Sequence, residues 1–243
     1  MDINVSKLDT NRFNLKVAKV TDFVLTDLEE INSFCSNNSV KLLIARVSTN
    51  DISITQALES DRFQLMDTLV YYKYDFVKKS MPQIEVPFRV ENISGNYDLA
   101  STIAEISQEA FHGYFGHYHA DPRLSNSDSD DIYVDWAYRS CIDQNVSDAV
   151  LAAFFEDAIA GFVTLKIRTE NLGELVLSGV SPKLQKQGLY QSLIYSGMQW
   201  FYQKSITQTI LSTQVNNIPV QKVWARLGFE MNHSFYTLHK WFD

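Results

Sequence analysis

Glycine is missing from the first 94 residues: all nine lie at Gly95 or later, so the composition changes along the chain. Cysteine is nearly absent. Cys35 and Cys141 form no metal or redox spacing and cannot build a disulfide framework. Neither stands near a histidine or in a recognisable motif, so both read as buried structural residues and not as nucleophiles. Positive charge is short, with 21 Lys and Arg against 29 Asp and Glu, a net charge of −8. That balance argues against nucleic acid or an anionic membrane as partner, while leaving room for a local basic pocket. No leader, long apolar run or low-complexity segment is found, and the expectation is a soluble cytoplasmic protein.

What remains is the composition of a folded globular chain, 45% apolar and 13% aromatic in 243 residues. That length suits one large domain or two small ones. Phe13–Val20 alternates like a strand, Leu25–Cys35 has helical spacing, and Lys41–Val47 is a strand rich in branched residues. A short helix at Ile52–Ser60 and a long strand at Leu65–Phe76 follow. Lys78–Pro87, with two prolines, reads as a linker. Beyond it come helices at Tyr97–Phe111 and Ile132–Asp143, separated by a loop from His112 to Pro122. Val150–Phe155 and Ala160–Arg168 pair as a hairpin. A strand ending at Val180, a helix to about Lys204, a strand Thr209–Val215, a short helix from Asn217 and a final hairpin complete the chain.

The early strand–helix–strand unit (Leu42–Val47, Ile54–Ser60, then Arg62-Phe63 and the strand to Phe76) parallels Ile210–Val215, Val220–Arg226, Gly228-Phe229 and the strand to Phe242. The division expected is a degenerate half-copy at 1–85 with a structural role, followed by a full domain at 86–243. The fold class is α+β in layers, with a mixed, mostly antiparallel sheet flanked by helices.

The stretch Leu175–Ile194 organises this plan. An apolar strand carries Gly179, which marks a bulge or a close approach of ligand or backbone. Val180-Ser181-Pro182 ends the strand. Gln185-Lys186-Gln187-Gly188-Leu189-Tyr190 then leads into a helix whose apolar residues include Leu193, Trp200 and Phe201. Strand, polar loop with one glycine, and helix aim free backbone N–H groups and a positive helix end at one spot, which suits a phosphate.

This pattern resembles the acyl-CoA signature of the GNAT N-acetyltransferase superfamily, a strand ending V-x-P followed by [QR]-x-x-G-x-[GA]. Gln185 and Gly188 match, and Tyr190 departs from the usual small residue. Asn217-Ile-Pro-Val220 and Leu227-Gly228-Phe229 resemble the superfamily's last helix start and closing G-F. The resemblance implies a donor lying between Leu175–Val180, with Leu177 and Gly179, and the strand ending at Val215. It places the Val180 amide at the thioester oxygen, the amides of Gln185 to Tyr190 at the pyrophosphate, and Asn217 at the cleft mouth. Asn217 also suits an N-cap. Many members carry a tyrosine as proton donor where this chain has Trp224, whose indole cannot serve as a titrating acid. Tyr236 and His233, on the expected last hairpin, are the replacement candidates, beside a packing or surface role for each.

The loop offers Tyr114, His117, His119 and Asp121 as an acceptor surface, with aromatic faces for a ring and polar groups for hydroxyls or an amine. Covering the core is the other reading. The spacing His-x₄-His-x-His-x-Asp matches no common metal site, and no metal is expected. Leu8-Asp9-x₃-Phe13, His119-Ala120-Asp121-Pro122 and Thr213-Gln214-x-Asn216-Asn217 are similar to a narrower group, the N-acyltransferases of dTDP-linked amino-dideoxy sugars. The activity so implied is transfer of an acetyl or short 3-hydroxyacyl group from acyl-CoA to a 3- or 4-amino-dideoxyhexose for surface polysaccharide. The protein is then expected as a monomer or homodimer. The alternatives are acylation of a protein, peptide or antibiotic amine, or a non-catalytic acyl-CoA-binding module.

Overall fold

A computed structural model describes residues 1–242. Its strands are β1 (Asp2–Val5), β2 (Val17–Thr21), β3 (Leu42–Ser48), β4 (Gln64–Asp75), β5 (Arg89–Asn92), β6 (Ala149–Phe155), β7 (Ala158–Thr169), β8 (Leu172–Val180), β9 (Gln208–Gln214) and β10 (Glu230–Trp241). The helices are α1 (Lys7–Phe13), α2 (Leu28–Asn37), α3 (Ile52–Ser60), α4 (Ala100–Ala110), α5 (His117–Ala120), α6 (Asn126–Ile142), α7 (Leu189–Gln203) and α8 (Ile218–Arg226). The strands form one sheet in the order β1-β2-β3-β10-β4-β9-β8-β7-β6-β5.

That order is close to a palindrome about the β10–β4 pair. β2 and β3 run parallel, as do β8 and β9, and the other pairings are antiparallel. Each half sends its last strand into the other. β10 lies between β3 and β4, and β4 lies between β10 and β9. The repeated units also end alike: Phe63 N bonds Leu58 O and Phe229 N bonds Trp224 O, both at 3.0 Å. The residues just before, Arg62 and Gly228, both take positive φ, 66° and 89°.

Alternation along the strands sorts four apolar clusters onto two faces. Leu43, Ala45 and Val47 of β3 pack with α2 and α3, while Leu42 and Ile44 meet Tyr118, Leu124 and Ile132 on the opposite face. In the second half Leu165 and Leu175 pack under α7, and Phe162 and Leu177 under α4 and α6.

The structure corrects several sequence expectations. The last segment is one twelve-residue strand and not a hairpin, because both its edges find partners. The strand expected from Phe13 begins at Val17, because Phe13 ends the helix α1; Ser6 caps that helix by accepting from the Asp9 amide. The loop after α4 contains the single turn α5. α6 begins at Asn126, since Ser125 caps its N-terminus through the Asp128 amide. Gly179 is not the bulge. The β7–β8 register slips at Val176, and Gly179 instead admits α4, whose Ala110 would lie 3.0 Å from an added Cβ. Both cysteines are buried and free, and burial pushes each thiol up to about 11. Among the described residues no helix is long and apolar enough to cross a membrane.

Candidate active site

β8 and β9 stay paired only from Leu172↔Gln208 to Leu175↔Leu211. Beyond that they part, although β9 remains bonded to β4 as far as Gln214↔Leu69. Val176, the extra residue of β8, sits where the parting begins and bends the strand. The gap opens a cavity of about 610 Å³ through the sheet. Leu177, Ser178, Tyr190, Asn217 and Trp224 line one part of it, and Tyr114, His117, Tyr133, Arg46 and Lys19 line the other.

On the β8 side, Ser181 N bonds Ala160 O of β7. Alternation therefore turns the Val180 and Ser178 amides toward the side β9 has left. After β8 the chain crosses a polar loop in which Lys186 and Gly188 have positive φ, 64° and 90°. The first i→i−4 bond of α7 is Ser192 N to Gly188 O, 3.0 Å. The amides of Leu189, Tyr190 and Gln191 thus open the helix with no intrahelical partner, a cradle for an anion. Gly188 has open space around it, its nearest neighbour to an added Cβ being Phe88 at 3.9 Å, so a side chain there would stand where a phosphate approaches. A Gly188→Val variant is expected to bind coenzyme A at least about tenfold more weakly, from strain at positive φ of about 1–2 kcal/mol in addition to blocked approach. Calorimetric titration with coenzyme A, alongside a circular dichroism check of the fold, measures it; unchanged affinity would remove the loop from the donor site.

At the centre two departures from the superfamily pattern meet. Trp224 Nε1 donates to Tyr190 Oη at 3.0 Å, and Ser178 Oγ lies 3.5 Å from the same oxygen. Burial pushes the Tyr190 hydroxyl up to about 12, against the lowering effect of the Ser178 and Trp224 contacts. Asn217 holds the N-cap position of α8, but its side chain makes no cap bond; Nδ2 donates to Thr213 Oγ1 at 2.9 Å.

The four loop residues separate. Tyr114 and His117 line the cavity. Tyr114 packs edge-on to Tyr133, which stacks on Phe111 with centroids 4.3 Å apart, and burial raises both tyrosine hydroxyls. His119 turns away, accepting from the Gly116 amide at 3.3 Å and meeting Asp130 at 3.0 Å, so it closes its own loop. Asp121 is buried behind the cavity, where His239 Nδ1 (2.7 Å) and Trp241 Nε1 (2.9 Å) contact its Oδ2. Tyr236 lies away from the cavity lining: it pairs with Val47 and Thr68 and packs on the core of the first half, with α2 and α3. Of the residues expected at the donor, Gly179, Val180, Gln185, Lys186, Gln187, Gly188 and Leu189 do not line the cavity, while Leu177, Tyr190, Asn217 and Trp224 do. Arg139 reaches the lining, while Arg123 lies over the Trp241 ring at 4.0 Å.

The sequence reading missed His239, Arg46 and Tyr133. Arg46 and His239 sit on β3 and β10 among apolar neighbours, and no local spacing marks either. Thr237 of β10 pairs with Arg46 on one side and Asp67 on the other. Buried and without a bonding partner there are Thr237 Oγ1, Asp67 Oδ1 and Gln214 Oε1, and of these three residues Gln214 belongs to the cavity lining. Among the described residues no group of three His, Cys, Asp or Glu is gathered to hold a metal.

Comparison with known proteins agrees with this geometry. The model of the acetyltransferase (GNAT) family matches residues 103–229. The mycothiol acetyltransferase of Saccharopolyspora erythraea is 34% identical over 80 residues, 33% of this chain and 26% of that protein. That of Saccharomonospora viridis is 32% identical over 88 residues, 33% and 29% of the two chains. The chain thus spans little more than a quarter of the length of these two relatives. Among solved structures, a GCN5-related N-acetyltransferase from Sphaerobacter thermophilus superposes with a TM-score of 0.69 at 13% identity, covering 98% of this chain and 76% of the other. A tandem GNAT protein from the clavulanic acid biosynthesis pathway gives 0.65 at 10% identity, covering 93% and 75%. These last two likenesses are of fold.

Proposed function

The chain belongs to the GNAT acetyltransferase family, and on that premise we propose that it moves an acetyl or short 3-hydroxyacyl group from acyl-CoA to the primary amine of a small anionic acceptor, in first place a dTDP-linked 3- or 4-amino-dideoxyhexose. The observation that carries the proposal is the cavity through the sheet, with a phosphate-type cradle near one part and cationic and aromatic side chains at the other. In this reading residues 86–243 supply the donor side, and 1–85 supply β4 and the cations Lys19 and Arg46.

The loop from Gln185 to Tyr190 then holds the pyrophosphate, the strand from Leu177 through Gly179 to Val180 aligns the thioester, and Asn217 bonds the donor's amide arm. The Tyr190 hydroxyl, oriented by Trp224, gives its proton to the leaving sulfur. Tyr114, Tyr133 and Trp136 offer faces to a sugar ring, and Arg46 and Lys19 offer charge to a diphosphate. Lys19 is already held by Asp9 at 2.6 Å, whereas Arg46 has no ion pair among the described residues. The relatives named mycothiol acetyltransferase favour a second reading, an acceptor related to mycothiol.

Thiol release from acetyl-CoA and from a 3-hydroxyacyl-CoA decides between them when dTDP-amino sugars, the unacetylated precursor of mycothiol and lysine peptides are offered side by side. Release with the sugars is the expected result. Release with peptides alone would overturn an anionic small-molecule acceptor, and coenzyme A binding without release on any amine would favour a binding module.

A further inference from the structure

His117 lines the cavity and is tied to two buried residues behind it. Its Nδ1 lies 2.9 Å from His239 Nε2, and His239 Nδ1 lies 2.7 Å from Asp121 Oδ2. The side chains of His239 and Asp121 are 0% and 1% exposed, so the row is sealed from water except at its His117 end. β10 supplies His239, and α5 with the residue after it supplies the other two.

The row sets one proton and orders the rest. Burial raises the Asp121 carboxyl, but the bonds from His239, the Arg123 amide and Trp241 bring it below the usual carboxylate range. An ionised carboxylate only accepts, so His239 carries its proton on Nδ1. Where His239 is neutral, its Nε2 accepts from His117 Nδ1–H. The remaining nitrogen, His117 Nε2, then bears a lone pair, and no described residue bonds it. Tyr118, whose ring centroid is 3.8 Å away, turns its hydroxyl to Asp9 at 3.0 Å and leaves that nitrogen alone.

We infer that His117 is the general base for the acceptor amine, with His239 and Asp121 as positioning residues that hold its Nε2 lone pair toward the cavity. The inference rests on the cavity being an amine acceptor site. In the step, the amine nitrogen attacks the thioester carbonyl carbon and a C–N bond forms. The proton leaving nitrogen goes to His117 Nε2. The C–S bond breaks, its electron pair stays on sulfur, and sulfur takes a proton from Tyr190; His117 later gives its proton to solvent and Tyr190 takes one back from solvent, so the net reaction is amine plus thioester giving amide plus thiol.

The groups facing His117 are His239 on β10, Arg46 on β3, Lys19 on β2, and His119 and Tyr118 on its own turn. Burial first, then His239, Arg46, Lys19 and His119, hold its imidazole well below the ordinary 6.5, so the ring is neutral at pH 7. The acid limb of kcat/KM is therefore expected below pH 6.5.

The test uses the full chain with acetyl-CoA, a dTDP-linked 4-amino-dideoxyhexose, and hydroxylamine as an amine already free of its proton at neutral pH. His117→Asn keeps a donor for His239 and deletes Nε2. It is expected to lower kcat with the sugar by about 10²-fold or more, with coenzyme A affinity unchanged, a smaller defect on hydroxylamine, and partial rescue by added imidazole. Asp121→Asn is expected to lower kcat less and to move the acid limb. Nitrogen-15 spectra of labelled histidines should show His117 Nε2 bare and Nδ1 protonated at pH 7. Wild-type kcat in a folded His117→Asn, or the reverse tautomer, would overturn the assignment. Should the wild-type chain turn over neither amine, the acceptor reading fails separately, and the spectra still decide whether His117 presents a base.

Discussion

A chain shortened to residues 1–229 is expected to be unfolded throughout, including the half that keeps every one of its own residues. β10 is bonded along both edges, to β3 through Phe235↔Ser48 to Trp241↔Leu42 and to β4 through Glu230↔Lys73 to His239↔Gln64. Its loss leaves two long interior strands with bare N–H and C=O groups, each a cost when shielded from water. It also removes Leu238, fully buried in the core of the first half, where one such side chain contributes about 1.5–3 kcal/mol. The Lys240 ammonium, bonded to Asp61 at 2.7 Å, and the His239–Asp121 pair go with it. Against a total stability of about 5–15 kcal/mol the sum is decisive. Far-ultraviolet circular dichroism and size-exclusion chromatography of the truncated chain are the check. A compact 1–229 protein with a folded first half would show that the exchanged strand is dispensable.

Replacing Tyr190 by Phe is expected to slow the chemical step by about 10²-fold or more, the usual worth of a placed proton donor, while acyl-CoA affinity changes little. The substitution leaves the buried Trp224 Nε1 without its acceptor, which costs stability by about 1–3 kcal/mol. Assays therefore belong well below the variant's melting temperature. The sign of the pH effect follows from the raised hydroxyl. A group lifted to about 12 stays protonated across the working range, so its donor role is present below that value and lost only above it. No alkaline limb from Tyr190 is expected up to pH 10, where an unperturbed tyrosine would already be half ionised. The diagnostic measurement is the leaving-group dependence. With an acetyl thioester of an acidic aryl thiol, which needs no proton, wild type and Tyr190→Phe should converge. Equal rates on acetyl-CoA itself would dismiss Tyr190 as the donor.

Periodicity and turn chemistry alone determined much of this protein. Helix α3 has the bounds its spacing predicted, because its polar and apolar residues alternate at one period between clear breaks. The loop before α7 was legible for a local reason: Gly188 falls eight residues after the strand it follows, so strand, turn and helix are written consecutively. Cavity residues on that segment and the next, Tyr190, Asn217 and Trp224, came with it. The repeat of β3-α3-β4 in β9-α8-β10 could also be read, since each unit is contiguous.

Tertiary structure decided what distant segments do to each other. Trp224 and Tyr190 were each visible as departures from a pattern, but the 3.0 Å bond between them exists only because the start of α7 and the end of α8 both reach the gap. Asp121 and His119 were two neighbours in one loop until α5 turned one ring toward Asp130 and sent the carboxylate under β10. His239 had no signal, because an alternating strand places a histidine on a face without saying which face is covered. The reciprocal placing of β4 and β10 lay equally beyond the sequence: alternation specifies that a strand has two edges and leaves the partner on each to be settled by which pairing buries both cores. That same exchange brings Lys19 and Arg46 of the first half to a cavity opened by β8 and β9 of the second.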